Sequence, residues 1–132
     1  MRRMANNHFK KHYTRDEARA LLPQIRQWLK QMSRLQAEVR KCEERLSGLM
    51  APGADLGGPL VNTWAKTTIE LEAAFGQFQQ REIQLKDLDR GLIDFPAIIG
   101  GKEVFLCWEQ DEEDIEFWHD LDAGYGGRER LE

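Results

Sequence analysis

The chain has few of the features that mark easily assigned protein classes. Its 132 residues include two cysteines and four prolines, and aromatic residues make up 9% of the total. No apolar run approaches the roughly 18 residues of a membrane-spanning helix, and the N-terminus lacks the apolar core of a secretory signal. We therefore predict a cytoplasmic protein with no membrane partner.

Cysteine is too scarce for a disulfide framework or a repeated metal motif. Cys42 lies in a helical pattern and Cys107 in a strand pattern, and the sequence contains no Cys-x-x-Cys pair. This pattern favours free thiols in a reducing compartment over a disulfide.

An excess of positive charge is also lacking, since the net charge is -4 and both signs are interspersed. This balance excludes duplex nucleic acid and anionic membranes as main partners. The N-terminus is an exception to this charge balance, because it is locally basic. We interpret residues 1–13 as a flexible N-terminus and residues 14–132 as a single domain.

The first regular pattern in the sequence is that of a long helix. Thr14 and Glu17 form a capping box that predicts a helix start. Apolar residues then recur every seven positions in two series, which predicts a coiled-coil-like helix with Pro23 causing a bend and not a break. The two series are Ala18, Ile25, Met32, Val39 and Leu46, and Leu21, Trp28, Leu35, Cys42 and Leu49.

A second helical pattern follows a loop predicted over residues 51–59. It runs from Val61 to Phe78, with Asn62 or Thr63 as its cap. Residues 14–82 thus predict a long antiparallel helical hairpin. Because the first helix is longer by roughly 20 Å, its start needs cover from the C-terminal sheet or from a second copy. We predict a homodimer through the helices.

Three strands are predicted in residues 91–132: Leu92 to Ile99, Glu103 to Trp108 and Ile115 to His119. Gly100-Gly101 fits a two-residue hairpin turn that requires positive φ. The predicted fold is α+β, a helical hairpin with a small three-stranded antiparallel β-meander.

Two features around these strands are less regular. Residues 83–88 fit either the frayed end of the second helix or an extended lead-in to the sheet. Pro96 has no backbone N–H to donate, and therefore predicts that the first strand lies at an edge.

The glycine turn fixes the register of the first two strands, with Asp94 opposite Cys107. The third strand has two open registers. In one, Trp118 lies on the apolar face, and His119 joins Asp94, Cys107 and Glu109 on the other face. In the second register, His119 turns inward, and Glu116, Trp118 and Asp120 join Asp94.

These residues support two kinds of chemistry. Asp94, Cys107 and His119, with Glu109 or Asp120, are ligand types that suit zinc or another transition-metal ion. Alternatively, Cys107 is a nucleophile with His119 as its base and Asp94 or Asp120 as the orienting group. No close-spaced pair of metal ligands accompanies the first set, and no signature of a cysteine enzyme surrounds Cys107.

The glycine-rich exit over residues 122–128 predicts either an anion site that uses Arg128 or a flexible tail. Trp118 and Glu109 are further candidates for ligand binding. We predict a binding or assembly module with a small anionic ligand or a partner segment on the polar sheet face. The alternative is a metal-assisted or acid–base enzyme that uses Asp94, His119, Asp120 and Arg128.

Seven segments carry a resemblance to a known family: YTRDEA (13–18), LLP (21–23), KDLD (86–89), GLIDFPA (91–97), EVFLCW (103–108), IEFWH (115–119) and GYGGR (124–128). With these segments the chain resembles the DUF2203 family of small bacterial and archaeal proteins. The resemblance implies a cytosolic single-domain protein and brings no activity or site residues. One departure is Asp111-Glu112, where the family pattern usually has Gly-Glu, which puts the shape of that turn in question.

Overall fold

The computed structural model describes residues 7–49 and 58–132, which form two helices and one antiparallel sheet. The α+β class is therefore confirmed. Within the described residues, neither helix is long and apolar enough to cross a membrane. The elements are α1 (Arg15–Leu49), α2 (Gly58–Gln80), β1 (Gln84–Asp87), β2 (Leu92–Ile99), β3 (Lys102–Glu109), β4 (Phe117–Asp120), a 3-10 turn (Tyr125–Gly127) and β5 (Glu129–Arg130).

Helix α1 begins at the predicted capping box. The backbone N–H of Glu17 donates to Thr14 Oγ1 at 3.1 Å, and the N–H of Thr14 donates to Glu17 Oε1 at 2.9 Å. Two amides that lack helical partners are thereby satisfied. The helix continues through Pro23 to Leu49 without a break.

Helix α2 begins earlier than the sequence predicts. Gly58 and Pro59 belong to the helix and not to the loop, because proline suits the first helical turn, where its missing N–H costs nothing. Asn62 and Thr63 are therefore not caps, and the Thr63 hydroxyl donates to the Pro59 carbonyl at 2.9 Å. The remainder of the predicted loop, residues 51–57, lies outside the described residues.

The chain divides into two compact units. The first unit contains the described residues up to Arg26 together with Phe78–Glu132, and the second is Gln27–Gln77. In the second unit, Trp64 Nε1 donates to Glu43 at 3.4 Å, so that a residue of α2 contacts one of α1. Buried side chains of this unit include Met32, Leu35, Cys42, Thr67 and Ala74.

The sheet has five strands in sequence order and not the three that were predicted. Residues 83–88 form an extended lead-in, because Gln84 and Leu85 of β1 pair with Asp94 and Ile93. The two residues of β5 pair with β4. The strand predicted from Ile115 begins two residues later, at Phe117.

The predicted register of β2 and β3 is confirmed, with Asp94 opposite Cys107. Gly100 and Gly101 have φ of 59° and 79°, as the two-residue turn requires. The edge position predicted from Pro96 is wrong for the first half of β2, where β1 pairs. It holds only from Pro96 onward, where the Pro96 carbonyl accepts a hydrogen bond from Tyr13 N at 2.7 Å.

Both faces of the central strands are buried. On the inner face, the Tyr13 ring lies 5.8 Å from Phe95, and the guanidinium of Arg26 lies 4.9 Å from the ring of Trp108. The opposite face, which we call the site face, carries Asp94, Phe105, Cys107 and His119, each at most 5% exposed. Polar groups are costly to bury, so these three polar side chains need partners.

Candidate metal and ligand site

The site face brings Asp94, Cys107 and His119 together as a buried triad. Cys107 lies directly across from Asp94 on β2 and from Phe117 on β4, and His119 pairs with Phe105. One donor atom from each triad residue lies within 4.8 Å of the other two. Of the two open registers, the structure has the one that places His119 beside Asp94.

The hydrogen bonds of His119 define its tautomer. Its Nδ1 lies 2.7 Å from the Asp120 carbonyl, which can only accept, so that Nδ1 carries a proton. Its Nε2 lies 3.0 Å from both Asp94 oxygens. If Nδ1 is protonated and the ring is neutral, Nε2 carries a lone pair and can only accept a hydrogen bond. An ionised Asp94 carboxylate can also only accept, so that the two groups would face each other without a proton between them. The contact therefore requires a proton or a metal cation between Nε2 and Asp94.

The thiol of Cys107 is the third member of this cluster, with its Sγ within 4.8 Å of a donor atom of Asp94 and of His119. Burial, together with the neighbouring Asp94 charge, raises the pKa of Cys107 to about 12. Burial also raises the pKa of Asp94, although His119 acts in the opposite direction. A thiol with so high a pKa is a poor nucleophile at neutral pH, which argues against the cysteine-nucleophile hypothesis.

Zinc binding would require the three donor atoms of the triad, which lie within 4.8 Å of one another, to adjust to the spacing of a zinc site. Tetrahedral ligands at about 2.0–2.3 Å from zinc lie about 3.3–3.6 Å apart. The 3.0 Å separation of Nε2 and the Asp94 oxygens would widen by a few tenths of an ångström. The contact of Nδ1 with the Asp120 carbonyl is the outer-shell hydrogen bond that commonly orients a metal-bound histidine.

The other predicted site residues do not join the triad. The Asp120 carboxylate lies 2.8 Å from Lys102, and only its carbonyl contacts His119. Trp118 pairs with Leu106 and belongs to the inner face. Glu109 is on the site face, but it forms an ion pair with Arg90 at 2.7 Å.

Arg128 is held by the protein itself. Its Nη2 forms an ion pair with Glu112 at 2.5 Å, and its side chain is 8% exposed. Its Nη1 is buried and has no hydrogen-bond partner among the described residues. The guanidinium lies 3.7 Å from the Phe117 ring centroid and 4.4 Å from that of Tyr125. This arrangement fixes the glycine-rich exit over the sheet.

Further cations extend this stack at both ends. The guanidinium of Arg90 lies 4.4 Å from the centroid of the Tyr125 ring. The guanidinium of Arg130 lies 5.5 Å from the centroid of the Phe117 ring. We call the five residues Arg90, Tyr125, Arg128, Phe117 and Arg130 the clasp. Cation–π contacts gain strength when they are desolvated, so that Arg128 at the centre is the strongest member. No spacing of residues in the sequence predicts the clasp.

Two cavities adjoin the site face. A cavity of about 230 Å³ is lined by the triad together with residues of the exit that include Ala123 and Tyr125. A larger one of about 680 Å³ is lined by His8, Phe9 and Lys102, among others. Lys86, Phe105 and Leu121 line both cavities, which are therefore neighbours.

His8 and Phe9, which lie ahead of α1, form part of the wall of the larger cavity. The backbone N–H groups of His8 and Phe9 donate to the Glu103 carboxylate at 2.7 and 3.0 Å, and His12 Nε2 lies 2.7 Å from it. The Phe9 ring lies 5.4 Å from Phe105. This attachment was not expected from the sequence, in which residues 1–13 show no periodic pattern.

We expect this attachment to weaken in acid. Burial raises the pKa of Glu103, but hydrogen bonds from His12, His8 and Phe9 lower it more, so that its pKa lies below 4.5. The ionised carboxylate therefore stabilises the attachment above the ordinary glutamate pKa, and this stabilisation is lost as pH falls through the folded pKa. NMR signals of the His8 and Phe9 amides should titrate with a midpoint below that value.

Two variants check the assignment of this titration to Glu103. Glu103→Gln should abolish the step in the His8 and Phe9 signals. Glu82→Gln should preserve it, because Glu82 accepts instead from the amides of Lys10 and Lys11. A midpoint at or above 4.5 in the unmodified protein would contradict the predicted shift.

The turn at Asp111, where the sequence departs from the family pattern, needs no left-handed residue. Among the described residues other than glycine, positive φ occurs only at Glu82. Aspartate is therefore accommodated in this turn without the backbone strain that the sequence comparison suggested.

Comparison with known proteins gave one match. The model of a family described as "Uncharacterized conserved protein (DUF2203)" matches residues 11–131. No curated protein and no solved structure matches the chain.

Proposed function

The chain belongs to the DUF2203 family, and we propose that it is a binding and assembly module whose triad binds a transition-metal ion, with zinc the best fit. The observation that supports this proposal is the convergence of a carboxylate, a thiol and an imidazole within 4.8 Å. All three are buried, and His119 is already oriented by Asp120. Mixed carboxylate, thiolate and imidazole ligands suit zinc and iron better than magnesium or calcium.

The fold supplies the rigidity that such a site needs. Asp94 and Cys107 face each other on central strands, and His119 follows on the neighbouring strand. Positions on paired strands hold ligands more accurately than loop positions do. Metal binding would also displace the thiol proton of Cys107. It would place a cation between Nε2 and the Asp94 oxygens, so that two hydrogen-bond acceptors would no longer face each other.

The test is metal uptake by protein that has been stripped with a chelator and then reloaded with Zn²⁺. We expect one equivalent of zinc per chain, and at least a hundredfold weaker binding in His119→Ala and Cys107→Ser. Cys42→Ser is the matched control, because Cys42 is the other buried free cysteine and is not part of the triad. Absence of bound zinc, or equal affinity in His119→Ala, would refute the metal proposal.

The assembly part of the proposal concerns the helices. The contact of Trp64 with Glu43 supports the antiparallel hairpin predicted from the sequence. Ile69 and Phe75 on α2 are 65% and 37% exposed, and they could pack against a second copy. A dimer mass by light scattering on the reloaded sample would support a homodimer, and a monomer mass would exclude it.

An enzymatic role is the second candidate, and one observation favours it. The triad offers three ligands, and a cavity of about 230 Å³ lies beside them. Catalytic zinc sites keep such an open fourth position for water or substrate. Asp120 and Arg128 are engaged by Lys102 and Glu112 and would not carry this chemistry.

A cytoplasmic location belongs to the proposal too, because two free thiols suit a reducing compartment.

A further inference from the structure

The cavity beside the triad has a mostly apolar lining that includes one positively charged side chain. Its lining includes Leu92, Phe105, Leu121 and Tyr125, together with the amine-bearing side chain of Lys86. Lys86 is exposed, and its amine lies 5.7 Å from the Phe105 ring. In the part of the chain that the structure describes, no ion pair joins this amine to a carboxylate, whereas Lys102 is paired with Asp120 at 2.8 Å.

The net charge of the triad with a bound divalent metal ion favours an anionic fourth ligand. A divalent ion with the carboxylate of Asp94, the thiolate of Cys107 and a neutral His119 has a net charge of about zero. Lys86 adds one positive charge at the same cavity. The fourth ligand that best balances this site is therefore a monoanion, with one oxygen on the metal and its remaining charge near the Lys86 amine.

The second cavity indicates what the rest of the ligand is like. It has about 680 Å³ of space, within the usual range for small-molecule sites, and it continues from the first cavity past Phe105 and Leu121. The Phe9 ring, 5.4 Å from Phe105, extends this apolar wall. A ligand anchored at the metal would lay an apolar body along these side chains.

We propose that the open metal position and Lys86 together bind the carboxylate of a small organic acid whose apolar body lies against Phe105 and Leu121. The inference rests on the metal-binding function proposed above and adds the class of ligand. Lys86 recognises the ligand by charge, and the two hydrophobic side chains select acids with an apolar body over acetate.

The test uses Co²⁺ in place of Zn²⁺, because its visible absorption reports directly on the ligands of the metal. Cobalt-loaded protein is titrated with sodium benzoate, with benzamide as a neutral probe of the same shape and acetate as an acid without an apolar body. We expect a saturable spectral change with benzoate, at least tenfold weaker binding of acetate, and no change with benzamide.

Two lysine variants locate the recognition. Lys86→Gln should weaken benzoate binding about tenfold while Co²⁺ uptake is unchanged, because one charge-assisted contact is lost. Lys66→Gln is the matched control and should bind benzoate as the unmodified protein does, because Lys66 is exposed on α2 and lines neither cavity. A spectrum that benzoate leaves unchanged, or equal weakening by both variants, would refute the carboxylate site while the metal site stands. Failure to take up Co²⁺ would instead refute the metal proposal and this inference with it.

Discussion

Replacing Asp94 with alanine should lower the free energy of unfolding of metal-free protein by about 3–5 kcal/mol. The carboxylate is 3.0 Å from His119 Nε2 at both oxygens, and the Cys107 thiol is the third polar group of the same buried cluster. Its side chain and that of His119 are 3% and 2% exposed, so that the two groups are largely desolvated and each depends on the other. Alanine therefore leaves a buried imidazole and a buried thiol unsatisfied.

Urea denaturation in the presence of a chelator measures this effect. Asp122→Ala is the control, because Asp122 is exposed and its removal should change stability by no more than about 0.5 kcal/mol. In a double-mutant cycle, Asp94→Ala and His119→Ala should be strongly non-additive, with the double variant costing less than the sum of the single ones. A loss below about 1 kcal/mol for Asp94→Ala would contradict a tightly coupled pair.

The same variant separates stability from function. Zinc at a thousand times its dissociation constant should raise the unfolding free energy of the unmodified protein by about 4 kcal/mol. Asp94→Ala should gain much less, because one ligand is missing. Asp94→Asn keeps the shape of the side chain but not its charge, and it should recover part of the metal-free stability without recovering the gain from zinc.

The pairing of Asp94 with Cys107 could be predicted from the sequence because the connection is short. Gly100-Gly101 can take positive φ at both residues without strain, as a two-residue hairpin turn requires, and such a turn sets the register of both strands. The side on which His119 lies could not be predicted in this way. Residues 110–116 join β3 to β4, and a connection of that length does not determine which face a side chain takes.

Three other features, β1, β5 and the clasp, were left open or missed for a different physical reason. β1 has four residues and β5 has two, and each is held by its pairing partner and not by its own pattern. The clasp joins residues from Arg90 to Arg130 through ring and guanidinium contacts, for which no sequence spacing exists. Without these contacts in view, the exit over residues 122–128 reads equally well as a free tail.

Replacing Arg128 with alanine should open the triad to solvent and lower the unfolding free energy by about 2–4 kcal/mol. Arg128 lies between the Phe117 and Tyr125 rings and neutralises Glu112, whose side chain is 19% exposed. Tyr125 in turn lines the cavity that contains the triad. Loss of the central cation leaves Glu112 without its ion pair and the exit without its anchor.

Thiol labelling in a Cys42→Ser background measures the opening, because Cys107 is then the only cysteine. Its pKa of about 12 and its burial should make labelling slow in the parent protein. Arg128→Ala should accelerate it at least tenfold at the same pH. Since removing a nearby cation does not by itself favour the thiolate, this acceleration would report increased access and not increased acidity.

Arg130→Ala supplies the matched control at the outer end of the clasp. Its guanidinium lies 5.5 Å from Phe117, and its side chain is 69% exposed, so that its removal should change stability by no more than about 0.5 kcal/mol and leave the labelling rate unchanged. Equal rates in Arg128→Ala and Arg130→Ala would show that the clasp does not shield Cys107. A large effect at Arg128 alone would show that the exit, held by the central cation of the clasp, shields Cys107 from solvent.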